Sequence, residues 1–301
     1  MTTTTPIKRL IVVQGPTGVG KTAAGVALGK HYGAPVVSAD SRQVYREMAI
    51  GTAVPSLAER DGVPHYFIQN KSIHEPFTAG DYEREALALL DEELFPNAPD
   101  VLLVGGSGLY VNALLEGFDD LPESDPALRA ELTAMPLATL LEELEQSDPA
   151  YYAVVDRQNP QRVIRAVEVC RLSGRPYSAL RSGVAKKRDF TYIKIGIDLP
   201  REELYARIDR RVEQMVAEGL LAEAERLYPY RHLSALQTVG YRELFDHFAG
   251  RCSQDEAVEL IQRNTRRYAK RQLTWLRRDP QIRWFGPADT DAMIAYIDGN
   301  L

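Results

Sequence analysis

Apolar residues from Leu10 to Val13 form a short unbroken run ahead of a glycine-rich stretch, Gly15–Thr22. That pattern predicts a buried strand feeding a loop. The following residues, Thr22–Gly33, are small and aliphatic and predict a helix that Gly33 stops. Ala34–Asp40 predicts a second strand ending at Asp40. From Phe77 to Leu94 the apolar positions recur at helical spacing, with Thr78 at the N-cap. Asp100–Gly105 predicts a third strand. Strand, loop and helix in this repeating order predict a parallel α/β sheet. Ligands bind such sheets at the carboxyl ends of the strands, where the glycine loop, Asp40 and Gly105–Tyr110 fall.

Past Gly117 the pattern changes. Asp119–Pro126 is rich in turn formers, and helical segments without a clear strand follow to about residue 190. Tyr192–Leu199 reads as a strand again. The sequence therefore predicts an α/β core over 1–117 and 191–301, with a mostly helical insertion domain over 118–190. One long helix is expected over Arg201–Tyr228, and a helical C-terminal part carries Arg263–Arg278.

Composition adds little to this picture, but the placement of charge adds more. The 301 residues are 45% apolar and 26% charged, with a net charge of -6, in the range of globular proteins. From Asp81 to Pro149 there are 17 acidic residues against two basic ones. Gln161–Arg188 and Gln262–Arg283 each hold eight basic residues and one acidic. A charge run is most simply a solvated helix face. Two such runs beside a catalytic domain make a polyanion a candidate partner. The two cysteines, Cys170 and Cys252, have no metal-ligand spacing and fit a reducing compartment. The apolar run near the N-terminus is too short for a signal peptide, and no run approaches a membrane span. A cytoplasmic location with no membrane partner is expected.

The stretch GPTGVGKT has the spacing of a phosphate-binding loop, and it lies between strand and helix as that loop requires. Backbone N–H groups and the helix N-terminus would hold phosphate oxygens. Lys21 would add a point charge, and the Thr22 hydroxyl would ligate Mg²⁺. This pattern is that of ATP-binding and other nucleotide-binding loops. Yet the third strand ends without an aspartate, since Asp100 stands at its start, so the second half of an ATPase site is missing. Asp40 admits three readings: a helix cap, an outer Mg²⁺ ligand or a general base. A small-molecule kinase and an RNA-binding NTPase switch are the competing functions, each needing a nucleotide pocket.

Further segments narrow the choice. DSRQVY, IGTAVPS, VPHYFI, LLVGGSGLYVNALLEG, PQRVIRAVEV, LQTVGYRE and RRYAKRQLTWLRR follow the loop in an order and spacing that resemble the tRNA dimethylallyltransferases, also called tRNA isopentenyltransferases. The resemblance runs from about residue 9 to 285. It implies a P-loop NTPase-like core with a helical insertion, and a prenyltransferase that acts in tRNA modification. The implied reaction moves dimethylallyl from dimethylallyl diphosphate to N6 of the adenine 3′ of the anticodon. The implied partner is the anticodon stem-loop of tRNA, the implied cofactor Mg²⁺, and a monomer is expected.

Residue by residue, the resemblance assigns the donor diphosphate to Gly15, Pro16, Thr17, Gly18, Val19, Gly20, Lys21 and Thr22. It makes Asp40 the general base, with Lys21, Thr22 and Arg211 serving the diphosphate. It assigns tRNA contacts to Asp40, Ser41, Arg42, Gln43, Ser107, Arg129, Gln161, Arg162, Val163, Ile164 and Arg165. Gln237, Thr238, Val239, Gly240, Tyr241 and Arg242 complete the tRNA set. Arg42 replaces the more usual Met or Ala, Ser107 stands where Thr is common, and PHYFIQ replaces PHHLID. A zinc-finger tail like that of eukaryotic members is not expected.

Overall fold

Six parallel strands form one sheet in the order β3-β2-β4-β1-β5-β6 in the computed structural model, which describes residues 8–300. They are β1 (Arg9–Gln14), β2 (Val36–Ser38), β3 (His65–Tyr66), β4 (Asp100–Gly105), β5 (Thr191–Ile197) and β6 (Arg283–Phe285). Met1–Ile7 and Leu301 lie outside the described residues, and with them the first part of the N-terminal run. The central strand, β1, is buried along its whole length. It pairs with β4 from Arg9↔Asp100 to Gln14↔Gly105, and with β5 from Arg9↔Thr191 to Gln14↔Gly196. A strand covered on both faces needs an unbroken apolar run, which Leu10–Val13 supplies. The one charge at its start, Arg9, is buried and ion-paired with Asp100 on the neighbouring strand.

The two edge strands, β3 and β6, are additions to the sequence reading. Each has two or three residues, too few for a period to register. The helix after the glycine loop spans Lys21–Tyr32 and ends at Gly33 in the left-handed conformation. The helix Ala79–Leu89 starts at Thr78, which forms a reciprocal capping box with Asp81. The long helix expected over Arg201–Tyr228 is two helices, Arg201–Ala217 and Leu220–Leu227, broken at Gly219 with φ 104°.

The chain divides into two compact units, residues 1–114 with 188–301, and residues 115–187. The expected boundaries at 117/118 and 190/191 lie three residues C-terminal to these. The second unit is built of helices, chiefly Pro126–Ala134, Leu137–Ser147 and Pro160–Ser173. Its own core gathers Leu132, Leu140, Leu144, Val163, Ile164 and Val167. Inside it, the fully buried Glu168 receives Ser124 Oγ and is ion-paired with Arg165 (2.7 Å) and Arg129 (3.5 Å).

Candidate active site

The loop Gly15–Gly20 leaves the carboxyl end of β1 and enters the helix Lys21–Tyr32. Gly20 is the N-cap at φ 108°, a backbone conformation that a side chain would strain. Val19 is turned away from the loop into the core beside Ile197 and Ile208. Lys21 Nζ folds back to donate to the Pro16 carbonyl at 2.8 Å. Burial pushes the Lys21 ammonium down to about 8; the Asp40 carboxylate raises it again and the Arg211 guanidinium lowers it. The Arg211 guanidinium is likewise lowered by burial, with Asp40 opposing. One anion and two cations thus face each other across the mouth of the loop.

Asp40 stands two residues past β2, and its Oδ1 accepts the backbone N–H of Arg42 (2.9 Å) and of Gln43 (3.3 Å). These bonds fold Asp40–Gln43 into a tight turn, so the capping reading of Asp40 describes its Oδ1. Ser107, at the end of β4, accepts the Ser41 N–H on its hydroxyl at 3.0 Å. Gln43 Nε2 donates to the carbonyls of Thr52 (3.2 Å) and Ala53 (2.9 Å). Arg42 Nη1 donates to the carbonyls of Ser234 (3.2 Å) and Ala235 (3.1 Å), which ties this turn to the segment leading into Gln237.

Asp40, Ser41, Arg42 and Arg211 line a cleft of about 350 Å³. Its polar lining includes Thr17, Gly18, Asp40, Ser41, Arg42 and Arg211. Gln237, Thr238, Val239, Gly240 and Arg242 line it as well. Apolar residues complete the lining: Ile208, Val212 and Met215, on the same helix as Arg211, with Leu220 and Ile261. A cleft with apolar lining and a few convergent charges is what a small ligand with an anionic head and an apolar tail requires. Thr22 lies off this cleft, on a cavity of about 30 Å³ shared with Ser38 and Gln43.

Several residues assigned from the sequence stand elsewhere. Val163 and Ile164 are buried in the core of the helical unit, and Tyr241 is fully buried with its hydroxyl on Glu223. Their side chains therefore hold structure, and they bear on a ligand only through neighbours. Gln161 and Arg162 are exposed on the helix Pro160–Ser173, whereas Arg165 is taken up by Glu168 and the Pro122 carbonyl.

The structure also brings forward residues that sequence reasoning passed over. Gln272, from the helix Gln254–Leu276, accepts the Thr17 N–H (2.9 Å) and donates to the Gly106 carbonyl (2.9 Å). It lies within the quoted RRYAKRQLTWLRR segment, but nothing local separates it from its neighbours. The same helix presents Arg267, Lys270, Arg271 and Trp275 along an open groove, a basic and aromatic surface of the kind nucleic acids bind. Glu223 had a readable signal. It occupies the apolar stripe Leu220, Glu223, Ala224, Leu227, where a carboxylate is out of place unless it is buried with partners.

The chain matches the IPP transferase family model over residues 43–279. It is 49% identical over 298 residues to the tRNA dimethylallyltransferase of Cytophaga hutchinsonii, covering 98% of each chain. It is 50% identical over 306 residues to the tRNA dimethylallyltransferase of Flavobacterium johnsoniae, covering 98% of this chain and 99% of that one. The crystal structure of the tRNA isopentenylpyrophosphate transferase of Bacillus halodurans superimposes with a TM-score of 0.71 at 39% identity, over 97% of this chain and 95% of that one. The parallel sheet with its loop at the end of the central strand is the P-loop NTPase-like fold of these proteins. With a family match over most of its length and relatives that align nearly end to end, the chain belongs to the IPP transferase family.

Proposed function

We propose that this protein transfers the dimethylallyl group of dimethylallyl diphosphate to tRNA, at N6 of the adenine immediately 3′ of the anticodon. The observation that carries this reading is the cleft that brings Asp40, Arg211 and the loop residues Thr17 and Gly18 together with the apolar Ile208, Val212 and Met215. The names of the relatives, all tRNA prenyltransferases, point the same way.

In this reading the loop Gly15–Thr22 holds the donor diphosphate through its backbone N–H groups, apart from Pro16, which has none, and Thr17, whose N–H goes to Gln272, with Lys21 and Arg211 adding charge. Ile208, Val212 and Met215 receive the isoprenoid chain. The adenine N6 is a weak nucleophile because its lone pair is delocalised into the ring. Asp40 accepts its proton, the N6–C1 bond forms, and the C1–O bond breaks with its electron pair leaving on the diphosphate. Both turn-forming bonds of Asp40 go to Oδ1, so Oδ2 is the oxygen suited to the proton. Lys21 and Arg211 stabilise the charge that develops on the leaving group.

Among the described residues no three His, Cys, Asp or Glu side chains converge on a metal-sized point. That suits Mg²⁺, which keeps several waters and binds mainly through phosphate oxygens. Thr22 would supply the protein oxygen, and the ion would neutralise the diphosphate.

The adenine must leave the anticodon stack, at a cost of a few kcal/mol that extrusion into a pocket offsets. Asp40, Ser41–Gln43, Ser107, Gln237–Gly240 and Arg242 would contact the extruded loop, with the buried Tyr241 acting through them. Of the residues Arg129 and Gln161–Arg165 in the helical unit, Gln161 and Arg162 would contact the tRNA directly, and Arg129, Val163, Ile164 and Arg165 would support them. The protein would act as a monomer in the cytoplasm. Among the described residues no helix is long and apolar enough to cross a membrane.

The test is transfer of label from dimethylallyl diphosphate to unmodified tRNA by the purified protein. Transfer should require Mg²⁺, and ATP should not replace the donor. Asp40→Asn should lower the single-turnover rate by ~10²–10⁴ with tRNA binding retained. Equal transfer in EDTA, ATP-dependent phosphorylation of a small molecule, or a near wild-type rate in the variant would each count against the corresponding part.

A further inference from the structure

We infer that Glu223 is a positioning residue for the reaction: a buried carboxylate that holds the loop Ala49–Ala53 and, through it, the Asp40 turn and Arg211. Glu223 is 2% exposed, on the helix Leu220–Leu227. Its Oε2 accepts the backbone N–H groups of Ala49 (3.0 Å) and Ile50 (2.9 Å). Its Oε1 accepts the Gly51 N–H (2.9 Å) and the Tyr241 hydroxyl (2.7 Å). Four donors converge on one side chain, which satisfies a group whose burial would otherwise be strongly unfavourable. The Tyr241 ring packs so closely on Gly51 that an added Cβ would lie 2.6 Å from it. The loop is therefore held by a carboxylate and by the ring whose hydroxyl that carboxylate accepts.

The loop reaches the reacting groups without a gap. Ala53 sits in the left-handed region at φ 50°, an unusual conformation for a residue with a Cβ. Its carbonyl accepts Gln43 Nε2 at 2.9 Å and lies 3.5 Å from Arg211 Nη2. Gln43 is itself the second residue whose N–H the Asp40 Oδ1 accepts. A chain of contacts thus runs from Glu223 to Ala49–Gly51, to Ala53, then to Gln43 and Arg211, and ends at Asp40. Glu223 has no contact with the cleft, but Gly51, Thr52, Ala53 and Gly240 line it. A strained backbone in a binding loop persists only when its surroundings over-determine it; here Gln43 and Arg211 hold the Ala53 carbonyl and Glu223 holds the preceding Ala49–Gly51.

This inference rests on the function proposed above, in that Asp40 and Arg211 are the groups positioned. Glu223→Gln keeps the shape but puts an NH₂ group among four donors. The full chain, assayed in single turnover with tRNA and labelled dimethylallyl diphosphate, should lose about 10- to 100-fold in transfer rate, as small misplacements of reacting groups do. Its affinity for tRNA should change less than threefold. Amide exchange of residues 49–53 should quicken. Tyr241→Phe, which removes one of the four donors, should show a smaller loss of the same kind. Glu223→Gln combined with Gln43→Ala should be slowed by less than the product of the two single effects, because both act through one loop.

A near wild-type rate in folded Glu223→Gln, or a multiplicative double variant, would overturn the positioning role. If Glu223→Gln does not fold, Tyr241→Phe carries the same comparison: an unchanged rate and unchanged exchange at 49–53 overturn it. If the wild-type chain transfers no prenyl group to tRNA, it is the proposed function that fails. Exchange of 49–53 and binding of inorganic pyrophosphate by Glu223→Gln then still decide whether the carboxylate holds this loop.

Discussion

Lys21 shows how one side chain couples burial to ligand binding. Its ammonium is drawn down from 10.5 to about 8 because burial disfavours the charged form. Between those two values the unfolded chain binds the proton and the folded one does not. The stability owed to this group therefore rises with pH across that window; below about 8 the full cost of burying the charge is present. A bound diphosphate reverses the balance, since its oxygens favour the ammonium. Measured against a Lys21→Met variant, which shares the ionisations of pyrophosphate itself, affinity for inorganic pyrophosphate should weaken as pH rises from 8 towards 10, with a proton uptake on binding that the variant lacks. Calorimetry in buffers of different ionisation enthalpy measures that uptake. The same pH dependence and uptake in both proteins would mean that Lys21 does not meet the phosphate.

At the scale of the element, the break at Gly219 matters most. An uninterrupted helix over Arg201–Tyr228 agrees with every local propensity, and Gly219 costs only about 1 kcal/mol within a helix. The break turns Leu220, Glu223, Ala224 and Leu227 inward, so that the carboxylate meets Ala49–Gly51. A Cβ at Gly219 would approach only Ile50 Cδ1, at 3.9 Å, so substitution there meets conformational strain and no clash. Gly219→Ala should cost about 1–2 kcal/mol, the penalty of a side chain in the left-handed region. That corresponds to a fall in Tm of roughly 2–8 °C for a unit of this size. An unchanged melting curve would show that the backbone there adapts freely.

The whole molecule consists of two units with separate cores and separate uses of charge. In the helical unit the arginines of the basic run differ in their partners. Arg171 pairs with Glu131 and Glu143, and Arg165 with buried Glu168, whereas Arg162 is exposed. Arg162→Ala should leave the thermal melt unchanged and flatten the salt dependence of tRNA binding by up to about one unit of log–log slope. Arg165→Ala should instead lower the melting temperature, because it leaves a buried carboxylate short of a cation. Titrations of tRNA at several salt concentrations, with a melt for each variant, separate the two. Equal effects of both changes on slope and on melting would refute the division.

Much of the molecule is legible in the order of its residues. The glycine loop, Asp40 at a strand end, Ser107 and Arg211 follow from local pattern and from the ordered family segments, because a phosphate cradle is made of consecutive residues. The central strands β1 and β4 and the helix caps at Thr78 and Gly33 are legible for the same reason: burial of an apolar run and capping of a helix end are decided within a few residues. The edge strands β3 and β6 are not, since pairing with a neighbour, more than their own composition, makes them strands. Gln272 meets Thr17 across 255 positions of chain, and Glu223 meets Ala49 across 174. Which polar side chain reaches which backbone N–H at such separations depends on how the sheet orders its strands and where Gly219 turns the chain. Sequence alone therefore determined the family, the core strands and the residues of the phosphate loop. Only the tertiary structure decided which charges are buried with partners and which are left to meet a ligand, because that outcome depends on contacts between distant segments.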